Sequence, residues 1–501
     1  MKFLCAVCFS GLVLSLAAQT DTNKTQSISL QQAIQMAVEH NLDVQVQRYV
    51  PMMDKYAIEG AYGVYDVFFN GSAKDAYRSQ PGSFSNGIQS TSTTSDNQLY
   101  AAGIGGSGGG NAATPWGMQY AITSTYEADS IHKFAFGPPF HQDPTFAGIT
   151  LDQPLLKNMW VDQNRYNILT AKKNYQYDEL GFRLQVMNVV SQTEQAYYEL
   201  IYAFDKVKVE QQAMDLAQQL VTENKRRVEV GTMAPLDEKQ SESQLASSKA
   251  DLLAAQETLA GQQNTLKGLI TDKFRQWHDI LLIPAEHLLP VPEMFDLQQS
   301  WERGLKMRPD LAQARVDMER HGLTVRYQRN QVFPQLDLTG SYGRSGLKGD
   351  MGGSLNDIRN ENFPSYSYGL TLSIPLSNKS ARNTYKSAKA ANEQAALNYK
   401  KAEQAMLIQI ENSIASAKNA FERIRATREA RDYAEQALEA EQKKLAVGKS
   451  TSFVVLQLQS ALTTARSAEI RALADYNEAL AQLSQNEGET LEKYHLSVKL
   501  Q

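Results

Sequence analysis

From Tyr366 the apolar side chains fall on every second position, Tyr366, Tyr368, Leu370, Leu372 and Ile374, with Ser367, Gly369, Thr371 and Ser373 between them. That period of two belongs to a strand with one apolar and one polar face. After Pro375 the alternation stops, and tens of residues rich in Ala, Glu, Gln, Lys and Arg follow, all strong helix formers. "GITLDQPLL" makes the same change of pattern around Pro154. In "PQLDLTGSYG", Leu336, Leu338, Gly340 and Tyr342 share one face and Asp337, Thr339 and Ser341 the other. "YDVFFNGSA" from Tyr65 is a fourth, less regular segment. These patterns predict strands over 64–77, 146–153, 335–344 and 365–374, with loops over 78–145 and 345–364. "MQYAITSTYEAD" inside the longer loop suggests a small extra hairpin.

Helix-compatible sequence fills 155–230 and 378–447, each followed by a shorter stretch, 232–270 and 450–486. At 1.5 Å per residue the first alone would extend on the order of 110 Å, deeper than any ordinary globular core. Helices of that length need lateral partners. Val455, Leu458, Leu462, Ala465, Ala472, Tyr476, Ala479 and Leu483 follow spacings of three and four, interrupted at Glu469, as in a coiled-coil stripe. Leu245, Leu252, Leu259 and Leu266 recur every seven residues. Gly231 and Gly448 close the incoming helices, where a left-handed cap suits glycine. Each pair therefore reads as an antiparallel helical hairpin.

The pattern occurs twice. Shifted by 217 residues, "RRVEVGTMAPLDEKQSESQL" falls on "KKLAVGKSTSFVVLQLQSAL". In that register Glu194 meets Glu411, Ala203 and Phe204 meet Ala420 and Phe421, and Val230 and Gly231 meet Val447 and Gly448. Chance overlap of Ala- and Glu-rich helices accounts for shared alanines but poorly for the paired Phe and Val-Gly positions. "LQQAIQMAVEHNLDV" from Leu30 and "LQQSWERGLKMRPDL" from Leu297 open the two copies. The organisation expected is a leader over 1–18, a first repeat over 19–270, a linker over 271–296, a second repeat over 297–488 and a tail over 489–501.

Composition and charge narrow the class. With 42% hydrophobic and 21% charged residues and a formal charge of -5, the chain gives no reason to expect nucleic acid. Lys2, the apolar run from Phe3 to Leu16 and the small residues Ser15, Ala17 and Ala18 read as an export signal. Both cysteines, Cys5 and Cys8, lie inside it, so no disulfide or thiol chemistry is expected of the exported chain. Beyond it no apolar run reaches the 18 residues of a membrane helix. An exported chain with two-faced strands of about nine residues matches the tilted spans of an outer-membrane barrel. Such a sheet must close, the smallest barrels have about eight strands, and four strands therefore imply several chains sharing one barrel. A soluble sheet packed on helices is the alternative that alternation alone allows.

Chemistry-bearing motifs are thin. "GIGGSG", Gly103 to Gly108, fits G-x-G-x-x-G but precedes no helical pattern and reads as loop. His278, His287 and His321 lack ligand spacing, and nothing pairs a nucleophile with a base, so neither metal, cofactor nor enzymatic activity is expected.

The twofold repeat, the "VG" turns, and "FPQLDLTGSYG" followed by "LTLSIPLSNKSARN" resemble the TolC family of outer membrane efflux proteins over nearly all of the exported chain. The resemblance implies an α + β membrane protein. In it a trimer shares a twelve-stranded outer-membrane β-barrel, and long antiparallel coiled-coil helices form a periplasmic α-barrel. It implies a passive exit duct in the outer membrane of a Gram-negative cell, extending into the periplasm, for efflux of small molecules or type I secretion. The implied partners are a periplasmic adaptor, an inner-membrane pump or ABC exporter, and outer-membrane lipid. Pro154 and Pro375 would turn the chain from strand to helix. Gly231, Thr232, Gly448 and Lys449 would lie at the periplasmic tip that meets the adaptor, although each glycine also suffices as a helix cap. The best-known family pattern carries two aspartates six and nine residues after the second hairpin's glycine. Here Val454 and Gln457 stand there, while the first hairpin keeps Asp237, followed by Glu238. Asp237 is either part of an acidic constriction or a helix N-terminal acid favoured by the helix dipole. The rival readings are a periplasmic adaptor, which has one helical hairpin, and a structural coiled-coil envelope protein, which has no use for strand-proline junctions.

Overall fold

The computed structural model describes residues 25–81, 84–85, 88–89, 93–133, 140–360 and 363–496; the leader assigned to 1–18 lies outside the described residues, as does the end of the tail. In chain order, β1 (Thr25–Ile28), α1 (Leu30–His40) and α2 (Leu42–Tyr62) precede a run of strands. These are β2 (Phe68–Gln80), the two-residue β3 (Phe84–Ser85) and β4 (Ile88–Gln89), β5 (Thr93–Gly105), β6 (Ala112–Ala113), β7 (Gln119–Lys133) and β8 (Phe140–Pro154). Then come α3 (Gln163–Glu229), α4 (Pro235–Ile270), the single turn α5 (Phe274–Trp277), β9 (Leu281–Pro284), α6 (Leu297–Met307) and α7 (Pro309–Gln331). The second strand pair is β10 (Gln335–Lys348) and β11 (Pro364–Ser373), with α8 (Met351–Arg359) between them. The chain closes with α9 (Lys379–Ala446), α10 (Ser452–Glu487) and the short α11 (Thr490–Lys493).

Two compact units emerge. The first takes residues 25–45, 186–300 and 410–496. In it β1 and β9 pair in parallel, so the segment read as a linker over 271–296 contains a strand. Ser29 caps α1, accepting from the Gln32 backbone N–H at 3.3 Å while Gln32 answers from its side chain, and the apolar face Ala33, Ile34, Ala37 is buried beside Ile28. The Tyr197 hydroxyl, fully buried, donates to the Ile28 carbonyl at 3.0 Å. The seam of α10 closes as its spacing predicts: Val455, Leu462, Ala472, Tyr476 and Leu483 are buried. Leu220 of α3 and Leu438 and Leu445 of α9 pack with Val455 and Leu462, and the Phe421 and Tyr476 rings lie 5.4 Å apart. Glu469, which interrupts the stripe, is buried and accepts from Arg431 at 2.8 Å and Arg428 at 3.2 Å. The irregularity is an ion-paired lock across the hairpin.

The second unit takes residues 46–185 and 301–409 among those described. Its centre is an antiparallel sheet of order β11-β10-β8-β7-β5-β2, with β6 beside β7. The sequence reading of 78–145 as a loop is thereby corrected: β2 continues to Gln80, and β5, β7 and the start of β8 lie within the stretch. Glycines, alanines, serines and threonines hide the alternation there. "GIGGSG" is likewise not all loop, since Gly103 to Gly105 end β5. A Cβ at Gly105 or Gly106 would stand 2.4 Å from the carbonyl oxygen of Gly110 or Asn111, so glycine is required by close backbone approach. The loop read over 345–364 contains the end of β10 and α8, whose N-cap Asp350 accepts from Gly353 at 3.0 Å.

The long first-half helix begins at Gln163 rather than 155. Between Pro154 and Gln163 the chain turns through Asn158, held left-handed (φ 66°), whose N–H donates to Asn330 Oδ1 at 2.7 Å. Asp162 then accepts from the Arg165 backbone N–H at 2.7 Å and from its guanidinium at 2.8 Å. After Pro375 the counterpart is Asn378 (φ 43°), donating from Nδ2 to the Val332 carbonyl at 2.8 Å. Both junctions are thus a proline, a left-handed asparagine and a bond to the end of α7.

Candidate functional site: strand wall and hairpin turns

The sheet register sorts every strand into two faces. On one, Phe69 faces Ile104, Ile104 faces Ile122, Ile122 faces Ile149, Ile149 faces Tyr342 and Tyr342 faces Tyr366, an apolar row across six strands. Neighbouring rows carry Leu338 against Leu370 and Tyr100 against Tyr126. On the other face Asn70, Gly103, Thr123, Gly148, Gly343 and Ser365 form the corresponding row. The apolar face is open: Phe69, Tyr366 and Tyr368 are exposed by 77%, 74% and 84%. An exposed apolar sheet face of this extent marks a surface made to be covered, by lipid or by protein. No described helix is long and apolar enough to cross a membrane.

The hairpin turns are built alike. Gly231 (φ 75°) and Gly448 (φ 73°) adopt the left-handed conformation. Thr232 N–H donates to the Arg227 carbonyl and Lys449 N–H to that of Lys444, each at 2.9 Å, while the glycine N–H groups reach Val228 and Leu445 at 3.0 and 3.1 Å. This is the Schellman closure of a helix. A Cβ at either glycine meets open space, so conformation and not crowding demands glycine. Gly448→Ala is expected to destabilise by about 1–2 kcal/mol in urea unfolding, the cost of a left-handed L-residue; an unchanged midpoint would contradict the cap. Buried Ser452 donates to Asn224 Oδ1 at 3.2 Å and so ties the second turn to α3.

Two tip residues escaped the sequence reading. Leu236 and Phe453, paired by the 217-residue shift, are exposed by 66% and 58%, and Val230 and Val447 are exposed too. Each turn thus carries two uncovered apolar side chains around Val-Gly. The repeat register itself held the signal. Of the constriction candidates, Asp237, Glu238 and Val454 are half-buried and Gln457 exposed; Asp237 sits in the first turn of α4 and enters no ion pair among the described residues.

A charged cluster crosses from α10 to α3. Arg471 reaches Glu199 at 2.7 Å, Asp475 at 2.5 Å and Glu478 at 3.2 Å, with its guanidinium over the Tyr202 ring. Burial, with the neighbouring Glu199 carboxylate, pushes the Glu478 carboxyl up to about 7 against the pull of Arg471. The folded chain then holds a proton that the unfolded chain releases above about 4.3. This group's stabilisation is complete below that pH and is lost as pH rises through about 7. The thermal midpoint is therefore expected to fall between pH 5 and 8, and Glu478→Gln to flatten that fall; an identical slope in the variant would contradict the assignment.

Among the described residues no group of three or more His, Cys, Asp or Glu side chains could hold a metal ion. A comparison with curated protein sequences finds no match. Solved structures do match. A membrane protein from Pseudomonas aeruginosa aligns with a TM-score of 0.68 at 16% identity, covering 92% of this chain and 90% of that one. The CmeC outer membrane channel of Campylobacter jejuni aligns at 0.65 and 14% identity, covering 97% and 94%. The outer membrane protein VceC of Vibrio cholerae aligns at 0.65 and 17%, covering 92% and 96%. The outer membrane efflux protein family matches over residues 144–271 and 302–489, taking in the last wall strands and both helical hairpins. With the apolar strand face and the duplicated hairpins, that match establishes that the chain belongs to the outer membrane efflux protein family.

Proposed function

We propose that the protein is the passive exit duct of a tripartite export assembly: a homotrimer seated in the outer membrane, extending into the periplasm, and engaged there by an adaptor that couples it to an inner-membrane pump or ABC exporter. The observation that carries this reading is the single apolar face running across a sheet whose two edge strands, β2 and β11, have one neighbour each among the described residues. Lipid tolerates no open sheet edge, so the edges must meet those of other copies. The family is one of transport channels, and no catalytic role is assigned. Gly231, Thr232, Gly448 and Lys449, with the apolar side chains around them, form the surface offered to the adaptor. Photo-crosslinkers at Thr232 and Lys449 in living cells should capture a periplasmic adaptor; capture of outer-membrane proteins alone would reverse the orientation.

Asp237, with Glu238 beside it, is the acidic element of the tunnel entrance, and Val454 and Gln457 contribute no charge. Three copies of Asp237 around a narrow axis would attract cations and repel anions. Its favourable place near the helix N-terminus, about 0.3–1 kcal/mol, accompanies that role. In planar bilayers a hexammine cation on the periplasmic side should block the channel less than it would an entrance ringed by two aspartates. Asp237→Asn should remove what block remains, and an unchanged block in the variant would refute the acidic entrance.

A further inference from the structure

We propose that the hairpin β5–β7 is a load-sharing wall element of the membrane barrel, so that three chains, each giving six long strands, close a barrel of eighteen strands instead of twelve. The inference rests on the trimeric channel reading and deepens it. Three observations carry it.

First, among the described residues β2 has no sheet neighbour except β5. The hairpin is therefore not laid over a finished four-stranded sheet; without it β2 would lose its only partner. The pairing is complete along the strand, from Phe68 against Gly105 to Gln80 against Thr93. On the far side β7 pairs with β8 from Gln119 against Asp152 to Ile131 against Phe140, with a gap in the register after Tyr126.

Second, the hairpin keeps the phase of the wall. Ile104 and Ile122 continue the apolar row between Phe69 and Ile149, while Gly103 and Thr123 continue the polar row between Asn70 and Gly148. A hairpin folded into an aqueous lumen would have no reason to present an apolar face in register with its neighbours. At 13 and 15 residues, β5 and β7 also exceed the 9–11 residues that span a bilayer.

Third, six is even, and adjacent strands in the sheet are antiparallel throughout. An edge β11 from one copy therefore meets an edge β2 of the next in antiparallel sense, as in the even-numbered bacterial barrels. Barrel diameter grows roughly linearly with strand number, so this mouth is about half as wide again as a twelve-stranded one. The occupant of each open edge is a second copy of this chain.

The test uses the full chain purified in detergent and returned to phosphatidylcholine vesicles, with single cysteines carrying a fluorophore at Ile122, Thr123 and, as a wall reference, Tyr366. A second hairpin position, Tyr100, serves if the Ile122 variant fails to fold. Brominated lipid should quench the Ile122→Cys or Tyr100→Cys label as strongly as the Tyr366→Cys label, aqueous iodide should reach the Thr123→Cys label, and electron cryomicroscopy of the unlabelled trimer should count eighteen strands. A trimer whose hairpin label is quenched only from water, or whose wall has twelve strands, overturns the inference and leaves the channel reading standing. A folded monomer overturns the channel reading and the inference together.

Discussion

Ile149→Arg is expected to destabilise the membrane-inserted protein by about 2–4 kcal/mol, the cost of an arginine on the lipid face of a barrel near the bilayer midplane. Ile149 lies between Ile122 and Tyr342 in the middle apolar row. Leu372, on the same face but next to the end of β11, should cost less when replaced by Arg, about 0–1 kcal/mol, as near the membrane interface. Ser367→Arg, on the polar face opposite Ser341, should change stability by no more than about 0.5 kcal/mol. Urea unfolding from lipid vesicles measures all three. Equal costs at Ile149 and Ser367 would mean that the two faces do not divide lipid from water.

The second large effect is expected at the hairpin turns. Val447→Asp combined with Phe453→Asp should abolish capture of the adaptor and lower drug or cargo export to the level of a strain lacking the protein. Both side chains are exposed in the single chain, by 68% and 58%, so its own core loses no packing. The thermal midpoint should therefore stay unchanged, and a trimer band in detergent serves as the control that assembly is intact. Apolar anchors at the centre of an interface commonly cost 2 kcal/mol or more when removed, and placing a charge there adds desolvation. Undiminished capture would remove the apolar collar from the docking surface.

The two halves of the fold were unequally legible in the sequence. The long helices were plain because their periodicity is local and sustained: Val455, Leu462, Ala472 and Leu483 mark a stripe that must be covered by something. The Val-Gly turns were plain because only glycine takes the left-handed cap without strain, and both glycines take it. β10 and β11 announced themselves through large side chains on alternate positions. β5 and β7 did not, because their small residues hide the same alternation, so the turn dipeptides Pro81-Gly82 and Asn86-Gly87 between β2 and β5 had no clear strand pattern after them. Gly103, Gly105 and Gly106 looked like loop residues, yet the latter two are set by neighbouring backbone that leaves no room for a Cβ. Glu469 looked like a flaw in the stripe; its partners Arg428 and Arg431 lie on the other helix of the hairpin, where only the folded pairing brings them. Leu236 and Phe453 were in view once the repeats were aligned, but an exposed apolar residue gains meaning only when the structure shows it uncovered.

The measurement that tests the central claim most directly is the electrical one. Purified protein added to one side of a planar lipid bilayer should insert as an oligomer and give discrete, long-lived conductance steps, with a hexammine cation acting from one side only. A protein that leaves the bilayer silent while running as a folded monomer in detergent would contradict the account.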